Sequence, residues 1–128
     1  ENSVSGKRTI EGLLAHEIAH QWFGNSASEA NWQHVWLSEG FATYFTILYQ
    51  EDKYGKEKAA EELKTDRQQI IAFNNRSSVP VVNPAVENYM RLLNANSYQK
   101  GSFVLHMLRQ EVGKPFAAIT TVIKSAMR

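Results

Sequence analysis

Two histidines four positions apart, His16 and His20, are the residues of this sequence best placed to do chemistry. On a helix, side chains with this spacing lie one above the other, with Cβ atoms roughly 6 Å apart, so both imidazoles can reach one small cation. Glu17 is rotated about 100° from His16 around the helix axis and cannot easily join the same ligand set. It is placed to act on a water bound to the ion. The H-E-x-x-H pattern therefore predicts two zinc ligands and a general base.

The two-histidine pattern is short and could arise by chance, so a third ligand is needed to support it. Catalytic zinc is typically held by three protein ligands, which leave the fourth position open for water. Glu39 lies in the segment W-L-S-E-G-F-A at 36–42, as a lone carboxylate at the head of a second apolar helix. This third residue favours a zinc site on His16, His20 and Glu39 over a coincidence of spacing.

Three motifs in this order resemble the aminopeptidase N family of zinc metallopeptidases. They are H-E-I-A-H-Q-W-F-G-N at 16–25, W-L-S-E-G-F-A at 36–42 and Y-Q-K-G at 98–101, and the resemblance runs from about Thr9 to Val112. Members of this family are gluzincins, in which the third metal ligand is a glutamate on the next helix. The resemblance thus implies one Zn²⁺ on His16, His20 and Glu39, with Glu17 as the general base.

Tyr98 takes its expected role from the resemblance, because the family uses this phenol to stabilise the oxyanion. A phenolic O–H donates a hydrogen bond at neutral pH, since its pKa is about 10. Opposite zinc, it would stabilise charge that appears only in the transition state. Thr46 departs from the family pattern, because many relatives carry an acid seven residues after the glutamate ligand. The family's G-x-M-E-N segment, which recognises the substrate's N-terminus, is also absent, and we expect it upstream of this chain.

The resemblance implies metal-assisted hydrolysis of a peptide substrate, with removal of N-terminal amino acids in the intact enzyme. The chain by itself is expected to be weakly active or inactive. Two alternatives stay open: a zinc epoxide hydrolase activity, which occurs in the same family, and a descendant that binds peptide without catalysis. The presence of all the catalytic side chains argues against the second alternative.

Composition predicts one ordinary globular domain over residues 1–128, with residues 1–8 frayed. The chain is 43% hydrophobic and 21% charged, and its net charge of +1 supplies no field for binding nucleic acid or an anionic membrane. No apolar run approaches the roughly 18 residues that span a bilayer. The absence of cysteine excludes disulfides and thiolate metal sites but does not indicate a compartment.

Hydrophobic periodicity predicts an all-α fold of four to five helices, which the resemblance identifies as the helical, zinc-bearing lobe of a thermolysin-like catalytic domain. Thr9 is the predicted N-cap of the first helix and Gly24 its stop. The second and third helices are predicted at 35–54 and 56–74. A loop at 75–97, with a short helix near 86–93, is expected to border the substrate cleft. The fourth helix is predicted to begin at Tyr98 with Asn96 or Ser97 as its cap and to end at Gly113, and a last short helix to follow Pro115.

Several side chains carry more specific expectations. The fourth helix is predicted to bury an apolar face, and the tryptophans to pack in or next to the core. His34 could orient a metal ligand or could be a partly exposed histidine at the start of a helix, and His106 is predicted to point off the buried face. The predicted apolar face of the fourth helix consists of Phe103, Val104, Met107, Leu108 and Val112. The three tryptophans are Trp22, Trp32 and Trp36.

The first helix carries apolar residues on more than one side, since Leu13, Ile18, Trp22 and Phe23 cannot all face one partner. A helix that is apolar nearly all round expects cover on both flanks. The chain alone is therefore expected to self-associate through the face beside His16.

Overall fold

A computed structural model describes residues 9–113, and it confirms the all-α prediction. The α-helices are α1 (Ile10–Ala19), α2 (Trp36–Tyr54), α3 (Lys56–Asn74) and α4 (Gly101–Val112). Short 3₁₀ turns lie at Trp32–His34 and Tyr89–Leu92, and a π-helix lies at Asn96–Lys100. This described part contains no named β-strand and no helix long and apolar enough to cross a membrane. The predictions for residues 1–8 and for a helix after Pro115 fall outside it.

Helix α2 is the centre of the fold, because α1, α3 and α4 all pack on it. Its residues are buried on nearly every side, which matches the broad apolar face that the sequence predicts. Phe23, from the turn after α1, stacks on Phe41 and Phe45 with ring centroids 4.3 and 5.1 Å away. The buried cluster consists of Ala19, Ala42, Tyr44, Phe45, Ile47, Leu48, Ala59 and Leu105.

The ends of the first three helices largely follow the predictions. The Thr9 hydroxyl accepts a hydrogen bond from the N–H of Gly12 at 3.0 Å, which confirms the N-cap. Gly55, at φ +94°, separates α2 from α3 in a conformation that favours glycine. Helix α1 ends at Ala19, earlier than predicted, because the next N–H groups shift to carbonyls three residues back and tighten the chain into a turn. Gly24, at φ +125°, completes that turn.

The predicted start of the fourth helix is wrong. Neither Asn96 nor Ser97 caps it: Asn96 Nδ2 donates to the carbonyl of Val79 at 2.8 Å, and the Ser97 hydroxyl donates to the carbonyl of Leu92. The side chain of Asn94 accepts from the N–H of Asn96 instead. Both predicted caps are used to hold the preceding loop, and the helix begins as a π-helix that continues into α4.

The predicted buried face of α4 is also wrong. The first turn makes the close contact with α2, and its buried residues are Gly101, Ser102 and Leu105. Phe103 is half-buried, whereas the other residues of the predicted face are 41–51% exposed. Periodicity identified the apolar residues but not which positions of α4 meet α2, and contacts with α2 continue to His106 and Arg109. The exposed residues are Val104, Met107, Leu108 and Val112.

The tryptophans divide between core and surface. Trp22 packs against the buried cluster, and Trp36 is half-buried with its indole nitrogen inside, as predicted. Trp32 is 54% exposed, so the packing prediction is wrong for this residue, which lies in a short surface 3₁₀ turn. On α3 most charged residues are exposed as expected, but Asp66 is buried.

Candidate metal centre

The structure brings His16, His20 and Glu39 together at one point between α1 and α2. The Nε2 atom of His16 lies 3.1 Å from Glu39 Oε2 and 3.1 Å from the Nε2 atom of His20. The third side of the triangle, from His20 Nε2 to Glu39 Oε2, is 3.3 Å. Within residues 9–113 this is the one group of three or more potential metal-ligating side chains that converges.

The shape of this triangle fits a tetrahedral zinc ion. Ligand bonds of ~2.0–2.1 Å place two ligand atoms ~3.3–3.4 Å apart in a regular tetrahedron. The three measured separations lie within a few tenths of an ångström of that edge. Two imidazole nitrogens and one carboxylate oxygen are also a donor set that zinc accepts. The residues present therefore fit the metal that the sequence implies.

A hydrogen bond fixes the orientation of the second histidine. His20 Nδ1 lies 2.9 Å from the carbonyl oxygen of Phe23, so this nitrogen carries the proton and donates it. In the neutral ring the Nε2 atom is then left with a lone pair directed at His16 and Glu39, whereas in the protonated ring Nε2–H can donate to Glu39. The tight turn after α1 supplies this carbonyl, which gives the early end of the helix a role at the site.

The electrostatics of the site favour positive charge among the three ligands. The hydrogen bond with Glu39 is the largest cause of a raised pKa at His20. Burial alone would raise the pKa of Glu39, but hydrogen bonds from His16 and His20 outweigh burial and lower it to about 2. An ionised carboxylate beside two imidazoles attracts a cation.

Glu17 lies next to the ligands without joining them. Its side chain is exposed on α1, whereas His16 is buried. The charge of Glu17 also contributes to the raised pKa of His20. A carboxylate outside the ligand set and open to solvent is free to exchange protons with water.

Tyr98 faces the ligands from the π-helix at Asn96–Lys100. Its ring lies 6.0 Å from that of His16, centroid to centroid, with 28° between the two planes. Single π-helical turns are rare and occur often at functional sites. The sequence placed Tyr98 at an ordinary helix start and gave no signal of this turn.

Two glycines set the distance between the glutamate ligand and the phenol. A Cβ added to Gly40 would lie 2.9 Å from backbone atoms of Gly101, and one added to Gly101 would lie 3.0 Å from the Cα of Gly40. Gly40 directly follows Glu39, and Gly101 lies three residues after Tyr98. The helix-interior position of Gly40 was the available signal, since glycine there costs about 1 kcal/mol relative to alanine.

The other two histidines lie outside the ligand group. His34 is half-buried in the 3₁₀ turn before α2. His106 is half-buried, with Nδ1 3.2 Å from the hydroxyl oxygen of Tyr44 and its ring against Phe103. Burial is the main cause of its lowered pKa. The prediction that His106 points away from the buried side of α4 is therefore wrong.

Sequence reasoning missed a polar stripe on the central helix. Glu39, Thr43, Thr46 and Gln50 follow each other at helical spacing on α2, and the last three line a cavity beside His16. Polar residues at helical spacing within a largely apolar helix were the signal that could have revealed it.

These helices and their His-His-Glu group define a helical domain with one candidate metal centre in its described part. The chain belongs to peptidase family M1, because the model of the Peptidase family M1 domain matches residues 1–124.

The chain is similar to several curated aminopeptidases. It is 33% identical to Aminopeptidase M1 of Arabidopsis thaliana over 116 residues, which are 88% of this chain and 13% of the relative. It is 35% identical to Aminopeptidase N of Mus musculus over 116 residues, with 84% and 12% covered. For Alanine/arginine aminopeptidase of Saccharomyces cerevisiae the identity is 34% over 118 residues, with 88% and 14% covered. The chain thus spans about an eighth of these relatives. No solved structure gave a significant match.

Proposed function

We propose that this chain is the metal-bearing helical part of a zinc-dependent aminopeptidase, which removes N-terminal amino acids from peptides. The observation that carries the proposal is the triangle of His16, His20 and Glu39 ligand atoms, with sides of 3.1, 3.1 and 3.3 Å. Membership of peptidase family M1 supports peptide hydrolysis, and the names of the relatives support the aminopeptidase type.

In this proposal the two Nε2 atoms and Glu39 Oε2 hold one Zn²⁺. When bound, zinc supplies Lewis acidity that polarises a carbonyl and lowers the pKa of water toward ~7. The hydrogen bond from His20 to the Phe23 carbonyl keeps one ligand in the tautomer that the site needs. Glu39 brings negative charge from the first turn of α2.

Glu17 is the general base. Its exposed carboxylate accepts a proton from the attacking water and later delivers that proton to the nitrogen of the leaving amine. A carboxylate outside the ligand set keeps its lone pairs available for this transfer. The same group thus serves as base in the first step and as acid in the second.

Tyr98 donates a hydrogen bond to the substrate carbonyl oxygen as that oxygen gains negative charge. The support is its position: the ring lies beside the buried ligand His16, on a π-helix held to α2 through Gly101. A fixed donor of this kind stabilises the transition state more than the ground state.

A peptide is the proposed substrate partner, and the segment that binds its amino terminus is proposed to lie outside this sequence. The chain spans only 12–14% of the length of the three relatives described above. We therefore expect the 128-residue chain to bind zinc but to turn over aminoacyl substrates weakly or not at all. Activity should therefore be assayed in a longer polypeptide that includes the segment proposed to bind the amino terminus of the peptide.

The test begins with zinc content and affinity of the purified chain. The wild type is expected to bind one zinc, Glu39→Gln to lose it, and His34→Ala, a histidine outside the triangle, to retain it. In a polypeptide that carries the complete substrate site, the wild type is expected to cleave an amino acid p-nitroanilide. Zinc binding that survives Glu39→Gln would overturn the ligand set. Zinc binding without turnover there would favour the non-catalytic, peptide-binding alternative.

A further inference from the structure

A cavity of about 540 Å³ lies between α1, α2 and α3, next to the metal ligand His16. Most of its lining residues are polar or charged. The wall residues that matter here are Gly12 and His16 from α1 and Thr43, Thr46 and Gln50 from α2.

Three buried polar atoms in this wall have no hydrogen-bond partner among residues 9–113: His16 Nδ1, Thr43 Oγ1 and Gln50 Oε1. The three residues are only 3%, 6% and 9% exposed. A buried polar atom left unpaired costs about 1–3 kcal/mol, so three such atoms beside one cavity call for an explanation.

The three atoms form a complementary set. When the Nε2 atom of His16 faces the ion, its Nδ1 atom carries the proton and needs an acceptor. Gln50 Oε1 can only accept, and the Thr43 hydroxyl can accept as well. Water in the cavity can accept from Nδ1–H and donate to the two oxygens, and a cavity of this size has room for more than one molecule.

The geometry places the three side chains on facing surfaces of α1 and α2. Thr43 and Gln50 follow Glu39 by four and eleven positions, so all three share one face of α2. Gly12 lies one turn before His16, and a Cβ there would be 3.4 Å from Gln50 Nε2. Helical side chains lean toward the helix N-terminus, so the His16 ring leans toward this amide.

We propose that Thr43 and Gln50 are positioning residues for the metal ligand His16. Through hydrogen-bonded water in the cavity they support the Nδ1–H donor of His16 and hold the tautomer that presents Nε2 to the ion. The Phe23 carbonyl does the same directly for His20. This inference rests on the proposed function, since it concerns a ligand of the same zinc site.

Thr46 offers a matched control because it lines the same cavity and its hydroxyl, unlike that of Thr43, already has a hydrogen-bond partner. Its Oγ1 donates to the carbonyl of Ala42 at 2.9 Å. Its methyl carbon would lie 4.0 Å from a Cβ added to Gly12. Thr43→Val and Thr46→Val therefore make the same chemical change on neighbouring turns of α2. Only the first removes a buried oxygen that lacks a partner within residues 9–113.

The experiment measures the zinc dissociation constant of the chain by competition with a chromogenic chelator. Thr43→Val and Gln50→Met are each expected to weaken zinc binding by about 10–100-fold, the usual effect of losing support behind a ligand. Thr46→Val is expected to leave the constant unchanged. Gln50→Glu, which keeps an acceptor at this position, is expected to restore binding relative to Gln50→Met.

A second readout follows the His16 ring in the zinc-loaded protein by NMR. The wild type is expected to show a slowly exchanging Nδ1–H proton, which Thr43→Val and Gln50→Met make exchange faster and Thr46→Val does not. Unchanged zinc binding and exchange in the first two variants would overturn the inference, as would equal losses in all the variants. A wild-type chain that takes up no zinc overturns the proposed function and the inference with it.

Discussion

The ring of Tyr98 lies beside that of the buried histidine His16, with centroids 6.0 Å apart and planes inclined by 28°. The two residues come from distant parts of the chain, one on α1 and one on the π-helix before α4. What fixes their separation is the backbone contact of Gly40 with Gly101, since α2 also carries the ligand that His16 contacts. The phenol is thus positioned by packing against the same helix that completes the metal triangle.

Replacing Tyr98 with Phe removes the phenolic donor and keeps the ring. We expect kcat of the complete enzyme to fall about 10²–10³-fold, with KM little changed, because the hydrogen bond forms only in the transition state. Steady-state kinetics on an aminoacyl substrate measures both constants. Tyr54→Phe, at an exposed tyrosine at the end of α2, is the control and should change neither. A rise in KM with kcat intact would make Tyr98 a binding contact.

Glu17→Gln should separate metal binding from catalysis. The variant is expected to bind zinc as the wild type does, because Glu17 is outside the ligand triangle. In the complete enzyme its rate should fall by at least about 10²-fold, because an amide cannot take the proton from water. Zinc analysis and turnover are measured on the same preparation, with Glu57→Gln on α3 as the control. Near-full activity of a zinc-loaded variant would assign the base role to another group.

Gly101→Ala tests the close approach of α2 and α4. The new Cβ would lie 3.0 Å from the Cα of Gly40 and 3.1 Å from the carbonyl oxygen of Trp36, so the helices must separate. We expect a loss of stability of about 1–3 kcal/mol from overpacking, measured by denaturant unfolding. In the complete enzyme we expect a lower kcat as Tyr98 moves. Ser102→Ala is the control, because it adds no atoms at the neighbouring position and should keep the helix spacing. Equal losses of stability in the two variants would contradict the prediction.

Glu11 gives the fold a specific dependence on acid pH. Hydrogen bonds from Lys53, and then from Tyr49 and Tyr54, lower the pKa of Glu11 to about 2. A lowered carboxyl pKa stabilises the fold above the unfolded value of 4.5, and this stabilisation is lost as the pH falls toward 2. In metal-free buffer, the unfolding temperature of Glu11→Gln should therefore vary less between pH 4.5 and 2 than that of the wild type.

The control for Glu11 is Glu57→Gln, which removes a carboxylate from the first turn of α3. It should keep the wild-type dependence on pH, because Glu11 and its three donors remain. Since the lowered pKa of Glu39 is common to all three proteins, it cancels from the comparison. Parallel curves for Glu11→Gln and the wild type would show that this cluster does not contribute.

Self-association through α1 is expected for the chain alone. The exposed apolar residues of α1 form a patch of the kind that monomers rarely leave exposed to solvent. Light scattering at high micromolar concentration should show oligomers that Leu14→Glu reduces, while Met107→Glu on α4 should leave them unchanged. A monomeric wild type, or a loss only with Met107→Glu, would contradict this surface. The patch consists of Ile10, Leu13, Leu14 and Ile18, which are 43–73% exposed.

Most of the helical framework could be predicted because its signals are local. The Thr9 cap, the Gly55 break and the periodicity of α2 and α3 each act within a few residues. The proposed ligands could also be predicted, since a spacing of four on one helix and a motif on the next are visible without knowing how the helices pack.

The rest depended on contacts between distant segments. The close approach of Gly101 to Gly40, next to the π-helix that carries Tyr98, joins segments about sixty residues apart, which periodicity does not encode. Thr43 and Gln50 were overlooked because their importance comes from the cavity they share with His16.

The two side-chain hydrogen bonds at the start of the π-helix tie the loop before it to the phenol. The side chain of Asn96 donates a hydrogen bond to the carbonyl of Val79. The side chain of Ser97, the residue before Tyr98, donates one to the carbonyl of Leu92. A change in the path of this loop is transmitted to the phenol instead of being absorbed locally. If the loop borders the substrate cleft, as the family resemblance implies, we expect changes in the loop to alter selectivity and turnover together. Laboratory evolution of the loop toward new substrates should therefore recover its lost rate through second mutations near Asn96.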